Sequence, residues 1–285
     1  MASLKDLRRR IRATTNMGHI FKAMEMVAAS KLRRAQARAQ AAAPYAAKMS
    51  EMLEKLAGAA GELDHPLFKV REVRNTVLLV VTADRGFAGN YSITILRAAE
   101  QLLRSAAAGS VQVVVIGRKG RDYLRRRGYP ILAAHTDVRG ETFLDLARRI
   151  TDDLAARFVS GEVDRVEILY THFVNALVRR IVHETFLPVG GGETKGDSRD
   201  RGTLFEPDAE TIFAELLSRY AVARLYAAVA DSQASEESAR MVAMGSARKN
   251  AGELVDALTL RRNRLRQAAI TREISELVGG AEALK

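Results

Sequence analysis

Residues 4–56 read LKDLRRRIRATTNMGHIFKAMEMVAASKLRRAQARAQAAAPYAAKMSEMLEKL, and this segment contains only one glycine, Gly18, and one proline, Pro44. Apolar or small residues recur in it at alternating three- and four-residue spacings, which is the pattern of one buried stripe on an α-helix. The stripe has two polar members and consists of Leu4, Leu7, Ile11, Thr14, Gly18, Phe21, Glu25, Ala28, Leu32, Ala35, Ala39, Ala42, Ala46, Met49, Leu53 and Leu56. It predicts a helix of about 55 residues and ~80 Å. Because proline cannot donate a helical hydrogen bond, we expect a kink or a local interruption at Pro44.

The C-terminal end of the chain shows the same periodicity after an N-cap-like Pro207-Asp208. Its stripe consists of Leu216, Tyr220, Ala223, Ala227, Ala230, Ala234, Glu237, Met241, Met244, Arg248, Ala251, Val255, Leu258, Arg262, Leu265 and Ala269. Periodic segments of about 55 and about 70 residues are longer than the helices of a globular domain, and they predict a coiled coil. Since one helix leads into the middle of the chain and the other leads out of it, we expect antiparallel pairing.

The middle of the chain has the pattern of an α/β domain. Five short β-branched segments predict strands, at Thr76–Thr82, Gln112–Ile116, Tyr129–His135, Arg165–Tyr170 and Leu177–Leu187. Helical segments lie between the first four, at Ser92–Ala107, Arg118–Arg127 and Glu141–Val159. This alternation predicts an open, Rossmann-like sheet with parallel crossovers, and the short link between the last two strands predicts a hairpin at its edge.

The predicted domain organisation follows from these patterns. Residues 1–58 form the N-terminal coiled-coil helix, and residues 74–190 form the α/β domain. Residues 191–207 are rich in glycine and charge and are expected to form a mobile loop. Residues 208–285 form the C-terminal coiled-coil helix.

Composition excludes several classes of protein. The 285 residues carry a net charge of +11 and contain no cysteine, which excludes disulfide scaffolds, thiolate metal sites and cysteine nucleophiles. Residues 1–58 hold 12 basic and 4 acidic side chains, whereas residues 208–285 hold 11 of each. Because the chain lacks an apolar run of about 18 residues and its charged start is unlike a secretory signal, we expect a soluble protein on the cytoplasmic side.

The turn after the first predicted strand, Asp84–Asn90, lies where a doubly wound sheet binds a nucleotide phosphate. It has neither G-x-G-x-x-G nor G-K-[ST], so a structural turn is the favoured interpretation, and a nucleotide-dependent enzyme is a rival hypothesis. The five histidines lack the spacing of a zinc site, and no nucleophile motif is present. We therefore expect no catalytic residue, no cofactor and no metal ion.

Basic residues on both predicted long helices indicate a polyanionic or acidic partner. They are Arg8, Arg9, Arg10, Arg12, Lys31, Arg33, Arg34, Arg38, Arg261, Arg262, Arg264 and Arg266. Nucleic acid is one alternative, and it predicts duplex binding with a steep salt dependence. Against it, no aromatic side chains interleave with these charges for base stacking. A collar of acidic protein fits the same residues.

The last residues of the C-terminal helix extend past the predicted coiled coil. In an antiparallel pair the longer helix overhangs the shorter by about 15 residues, or some 20 Å. The overhang, AAITREISELVGGAEAL (Ala268–Leu284), is apolar around most of its circumference. An apolar helix end of this kind needs a protein partner to cover it, because it would otherwise aggregate.

Five motifs resemble the gamma subunit of F-type ATP synthases. They are KAMEMVAASKLRRAQ (Lys22–Gln36), TADRGFAGN (Thr82–Asn90), IGRKG (Ile116–Gly120), ARMVAM (Ala239–Met244) and RQAAITREISELVGGA (Arg266–Ala281), in order across nearly the whole chain. The resemblance implies a non-catalytic rotor shaft inside a ring of alpha and beta subunits. It also implies that the α/β domain, with the segment before Phe205–Asp208, contacts the epsilon subunit and the membrane c-ring, and that nucleic acid is not a partner.

The resemblance also implies contact residues. Lys22, Met24, Arg33 and Arg34 correspond to a helix that faces acidic segments of the beta subunits. Arg240 corresponds to a residue of the same contact surface. Arg266, Gln267, Thr271, Glu273 and Glu276 correspond to an upper contact with the beta subunits that affects coupling. The peripheral position on the cytoplasmic face of a bacterial cell membrane, in one copy per complex, follows from the same resemblance.

Overall fold

Two long helices form the ends of the chain. The computed structural model describes residues 3–59, 65–107, 109–138, 142–189 and 209–282. Helix α1 spans Leu4–Ala59 and helix α5 spans Ala209–Glu282, so both predicted long helices are confirmed. Helix α1 is not interrupted at Pro44, which lies at an exposed position where water can bond the carbonyl that the missing N–H leaves free.

The chain divides into two compact units. The smaller unit consists of residues 1–28 and 241–285, and the larger unit consists of residues 29–240. Helices α1 and α5 contribute to both.

In the smaller unit, α1 and α5 pack against each other in antiparallel directions. A Cβ built on Gly18 would lie 3.9 Å from the Cβ of Ala251, and Glu25 Oε2 accepts a hydrogen bond from Arg248 Nε at 2.9 Å. The partner on α5 thus moves back along the chain as α1 moves forward, which confirms the predicted direction. Buried residues of the predicted stripes in this unit are Leu7, Thr14, Ala28, Met244 and Ala251.

In the larger unit, a five-stranded mixed sheet confirms the predicted α/β domain. The strands are β1 (Thr76–Val81), β2 (Val111–Ile116), β3 (Ile131–His135), β4 (Arg165–Phe173) and β5 (Arg179–Leu187). Their spatial order is β3-β2-β1-β4-β5. The first four strands run parallel, and β4 and β5 form the predicted antiparallel hairpin at one edge.

Helices cover both faces of the sheet. Helices α2 (Tyr91–Ser105) and α3 (Arg118–Arg126) pack on one face, and α4 (Phe143–Ser160) packs on the other together with α5 and Leu53 of α1. Strand β1 is apolar at nearly every position because it lies in the middle of a sheet that is buried on both sides. The predicted mobile loop, residues 191–207, lies outside the described residues.

The connection between β2 and α3 requires glycine. Gly117 has a φ of 102°, and a Cβ built there would lie 2.4 Å from the carbonyl oxygen of Thr82. Gly128, at the end of α3, also has a positive φ of 73°, but a Cβ built there would meet no atom of the described residues within 4 Å beyond its chain neighbours. A comparison of alanine substitutions at the two glycines therefore separates the energetic cost of backbone strain from that of a steric clash.

We therefore expect Gly117→Ala to destabilise the fold more than Gly128→Ala. Gly128→Ala carries only the strain of positive φ, about 1–2 kcal/mol, whereas Gly117→Ala adds a clash with backbone and should cost about 3 kcal/mol or more. Urea unfolding of the two variants measures the difference. Equal losses of unfolding free energy would show that the contact with Thr82 yields easily.

Candidate partner interface

The carboxylate of Asp84 lies at the beginning of α3, where a doubly wound sheet would place a phosphate. Its Oδ1 accepts a hydrogen bond from the N–H of Arg118 at 2.8 Å, and its Oδ2 accepts one from the N–H of Val138 at 2.9 Å. The next two N–H groups of α3 donate to the carbonyl of Ala83 and to the hydroxyl of Thr82. Because a side chain of the protein supplies the anion at this helix N-terminus, the geometry favours a structural turn.

A cavity of about 340 Å³ lies beside this turn, at the carboxyl ends of β1 and β2. It is lined by four cations, Lys31, Arg34, Arg38 and Arg85, and by four carboxylates, Asp84, Asp137, Glu236 and Glu237. Two of the cations contact polar groups of α5: Lys31 lies 4.0 Å from Glu237, and Arg38 donates to Gln233. The charges therefore balance within the cavity, which is not the pattern of an anion site.

Neither a metal cluster nor a membrane span is found in the described part of the chain. Its histidine, aspartate and glutamate side chains form no group of three or more that could hold a metal ion. No helix within residues 3–59, 65–107, 109–138, 142–189 or 209–282 is both long and apolar enough to cross a membrane.

The predicted contact residues of α1 are accessible. Lys22 is exposed and Met24 is half-buried in the smaller unit. Arg33 and Arg34 are exposed in the larger unit. A partner can therefore reach all four side chains.

Arg240 differs from the other predicted contact residues, because it is only 8% exposed. Its guanidinium pairs with Glu236 and with Glu237, and its Nε donates to the carbonyl of Gly86 at 3.3 Å. Burial raises the pKa of Glu236, whereas the neighbouring guanidinium lowers it, and burial has the larger effect. The charge of Arg240 is thus engaged within this chain, where it holds α5 to the turn after β1.

The C-terminal segment of α5 carries the remaining predicted contacts. Its exposed polar residues include Arg266, Gln267, Thr271, Glu273 and Glu276. Its exposed apolar residues include Ile270, Ile274, Val278 and Leu277, the last of which is 74% exposed. The antiparallel register explains the exposure: α1 begins at Leu4, and the pairing of Gly18 with Ala251 puts that first residue opposite the region of Arg266.

Sequence reasoning missed a set of polar side chains on a second face of α5. Ser232, Ser235 and Ser238 are buried, and each bonds to the carboxyl end of β4 or to the hairpin turn beyond it. The available signal was serine at three-residue spacing inside an alanine-rich helix, because serine favours helix interiors only weakly unless it has a partner.

Asp84 gives a prediction for the turn. Asp84→Asn keeps one acceptor but turns an amide donor toward a backbone N–H, so it should cost about 1–3 kcal/mol of unfolding free energy. The control is Asp122→Asn, because Asp122 is partly exposed and hydrogen bonds its neighbour Arg121; it should change stability by about 0.5 kcal/mol or less. Chemical denaturation measures both, and a smaller loss at Asp84 than at Asp122 would contradict the assigned role.

Known proteins match the chain over its full length. A family model described as ATP synthase matches residues 3–284. The ATP synthase gamma chain of Desulforamulus reducens is 43% identical over 285 residues, and that of Moorella thermoacetica is 42% identical over 285 residues. Each of these alignments covers 100% of both chains.

Solved structures give the same result. A chain in the central stalk and c-ring structure of the Tetrahymena thermophila mitochondrial ATP synthase is 25% identical, with a TM-score of 0.62, and the match covers 80% of this chain and 99% of that one. A chain of the Euglena gracilis mitochondrial ATP synthase, from a structure that includes F1 and the c-ring, has a TM-score of 0.70 at 17% identity, covering 99% of this chain and 94% of that one. The second likeness concerns the fold alone. With a family match over residues 3–284 and full-length relatives above 40% identity, the chain belongs to the family of ATP synthase gamma chains.

Proposed function

We propose that this chain transmits rotation between a membrane c-ring and a catalytic ring of alpha and beta subunits, in ATP synthesis or ATP hydrolysis. As a gamma chain it is a non-catalytic subunit of the complex and part of the central stalk rotor. In the proposed complex it is present in one copy, lies on the cytoplasmic face of the bacterial cell membrane, and is held there by its partners.

The exposed apolar end of α5 is the observation that carries this proposal. Four large apolar side chains between Ile270 and Val278 are about half or more exposed. Water contact with such a surface is unfavourable by about 25 cal/mol per Å². A ring of subunits that encloses the helix end would remove this surface from water without requiring a specific angle of rotation.

The exposed residues of the two long helices suit contacts with the catalytic ring. Lys22, Met24, Arg33 and Arg34 are proposed to face acidic segments of the beta subunits, and we call this the lower contact. The upper contact is proposed to involve Arg266, Gln267, Thr271, Glu273 and Glu276. Arg240 is proposed to support the lower contact indirectly, since its guanidinium is paired within the chain.

The α/β domain is proposed to contact the epsilon subunit and the c-ring. This assignment comes from the resemblance in Thr82–Asn90 and Ile116–Gly120, and solved relatives occur in structures with a c-ring. The balanced charges around Asp84 are consistent with a domain that binds neighbouring proteins rather than a nucleotide.

A pull-down of the tagged full-length chain from nuclease-treated membrane extract at low salt tests the proposal. We expect a pair of large nucleotide-binding subunits, in equal amounts and in excess over the tagged chain. Recovery of nucleic acid from an untreated control, with no protein partner in either sample, would favour the basic coiled-coil alternative and overturn the rotor proposal.

Charge reversal tests the lower contact. Arg33→Glu combined with Arg34→Glu should lower the number of protons pumped per ATP hydrolysed by about twofold or more, because like charges would then face each other across the contact. Recovery of the assembled complex should change less, since other contacts hold the ring.

The matched control is Arg33→Lys combined with Arg34→Lys, which keeps both positive charges at the same two exposed positions and should pump like wild type. The measurement is ATP-driven proton uptake by reconstituted vesicles, divided by the rate of phosphate release. A pumping ratio equal to wild type in the charge-reversed variant would refute the assigned contact.

A further inference from the structure

Helix α5 is attached to the sheet by a run of buried and half-buried polar side chains. Asp231, Ser232, Ser235 and Ser238 recur at spacings that bring them to one face of the helix. The three serines are at most 2% exposed. This face is distinct in composition from the alanine-rich stripe, and all of its bonds described below lie within the larger unit.

Two of the serines bond Thr171, a residue in the part of β4 that extends past the end of β1. The pairing of β1 with β4 ends at Val80 and Leu169. Two residues further along β4, the N–H of Thr171 donates to the hydroxyl of Ser232 at 3.2 Å, and the carbonyl of Thr171 accepts from the hydroxyl of Ser235 at 3.1 Å. The serine hydroxyls thus supply the hydrogen bonds that the backbone of a longer β1 would make to Thr171.

The same face of α5 bonds the last residues of β4 and the hairpin turn that follows them. The N–H of Phe173 donates to Asp231 Oδ1 at 3.2 Å, and Asp231 also contacts the ring of His172. The hydroxyl of Ser238 donates to the carbonyl of Ala176 at 2.6 Å. The bonds therefore continue along nearly two turns of the helix.

Helix α5 also bonds the turn after β1 and the start of α2. The hydroxyl of Tyr91 donates to the carbonyl of Ser232 at 3.1 Å, and burial raises the pKa of Tyr91, so the hydroxyl remains protonated. Arg240 donates to the carbonyl of Gly86. Ala83, Ala88, Tyr91 and Ala239 form a small cluster of buried residues.

These bonds differ from the contacts of α1, whose polar contacts with α5 are made by the long side chains of Lys31, with Glu237, and Arg38, with Gln233. Residues of α1 buried in the larger unit are Leu32, Ala35, Ala42, Met49 and Leu53. Apolar contact is non-directional, whereas a hydrogen bond weakens steeply when its angle changes, so hydrogen bonds fix the position of a helix more precisely. Most of the bonds from α5 end on backbone atoms, which cannot follow a sliding helix by changing rotamer.

We infer that Ser232, Ser235 and Ser238 are positioning residues that pass torque between the α/β domain and α5. The inference rests on the proposed rotor function and concerns the place where force enters the shaft. Torque that acts on the domain is transferred to α5 through bonds to β4 and its hairpin, and α1 follows as a packed neighbour.

The test compares the torsional stiffness of rotors that carry different substitutions. The test variant is Ser232→Ala, Ser235→Ala and Ser238→Ala combined, which removes three hydroxyls and adds no bulk. The matched control is Ser218→Ala combined with Ser246→Ala, at exposed positions of the same helix. A second control is Leu124→Ala, which lowers stability in the core under α2 and α3, on the other face of the sheet.

Each variant is assembled with its catalytic ring, the ring is fixed to a surface, and a probe on the α/β domain reports angular fluctuations. We expect the angular variance of the triple variant to rise about twofold or more, because three directed bonds are lost. Both controls should match wild type, and protons pumped per ATP should fall only in the triple variant.

Angular variance equal to wild type in the triple variant, or an equal rise in Leu124→Ala, would overturn the inference. If the triple variant does not assemble, Ser235→Ala alone is measured against the same criteria. Failure of the wild-type chain to rotate in its assembled ring would instead refute the proposed function, so the two failures are distinguishable.

Discussion

Helix α5 packs against the sheet and also contacts α1 within the larger unit, and the rest of that unit depends on these two contacts. Leu217, Ala221, Leu225 and Ala228 recur at helical spacing in the core beneath the sheet. Gln233 and Glu237 lie on the side that contacts α1. A helix that is buried on two sides has little freedom to rotate about its own axis, because any rotation would expose one apolar face. The same rigidity that stabilises the domain also suits a shaft.

The sheet shows how a nucleotide-binding architecture can serve as an anchor. The strand order places the turn after β1 at the reversal point where doubly wound proteins bind ligands. Here Asp84 joins the start of α3 to Val138, and the adjoining Gly86 carbonyl accepts from Arg240. The positions that could cradle a phosphate are used to connect the loops to one another and to α5. Fold alone would have suggested a different activity.

Most of the architecture could be predicted from periodicity. The alternating three- and four-residue spacing in residues 4–56 predicted α1, and the β-branched TVLLVV segment predicted β1, because both patterns reflect burial that extends over many residues. Specific polar contacts were harder to predict from the sequence. Glu236 and Glu237 lie at helical spacing from Arg240, but the burial of Arg240 also depends on a backbone carbonyl more than 150 positions earlier in the chain, which no local pattern reports. For the same reason the serines of α5 could not be identified from sequence as hydrogen-bond partners of β4.

The pairing of α1 with α5 also has a consequence for biosynthesis. Gly18 packs beside Ala251, a residue about 230 positions later, so α1 leaves the ribosome well before its partner exists. At typical rates of synthesis this interval lasts roughly 10–50 s. During that time the stripe of α1 is exposed to water and to other nascent chains. Its many alanines expose less apolar surface than a leucine-rich stripe would, and the flanking basic residues favour solubility. Both features make unpaired α1 less prone to aggregate.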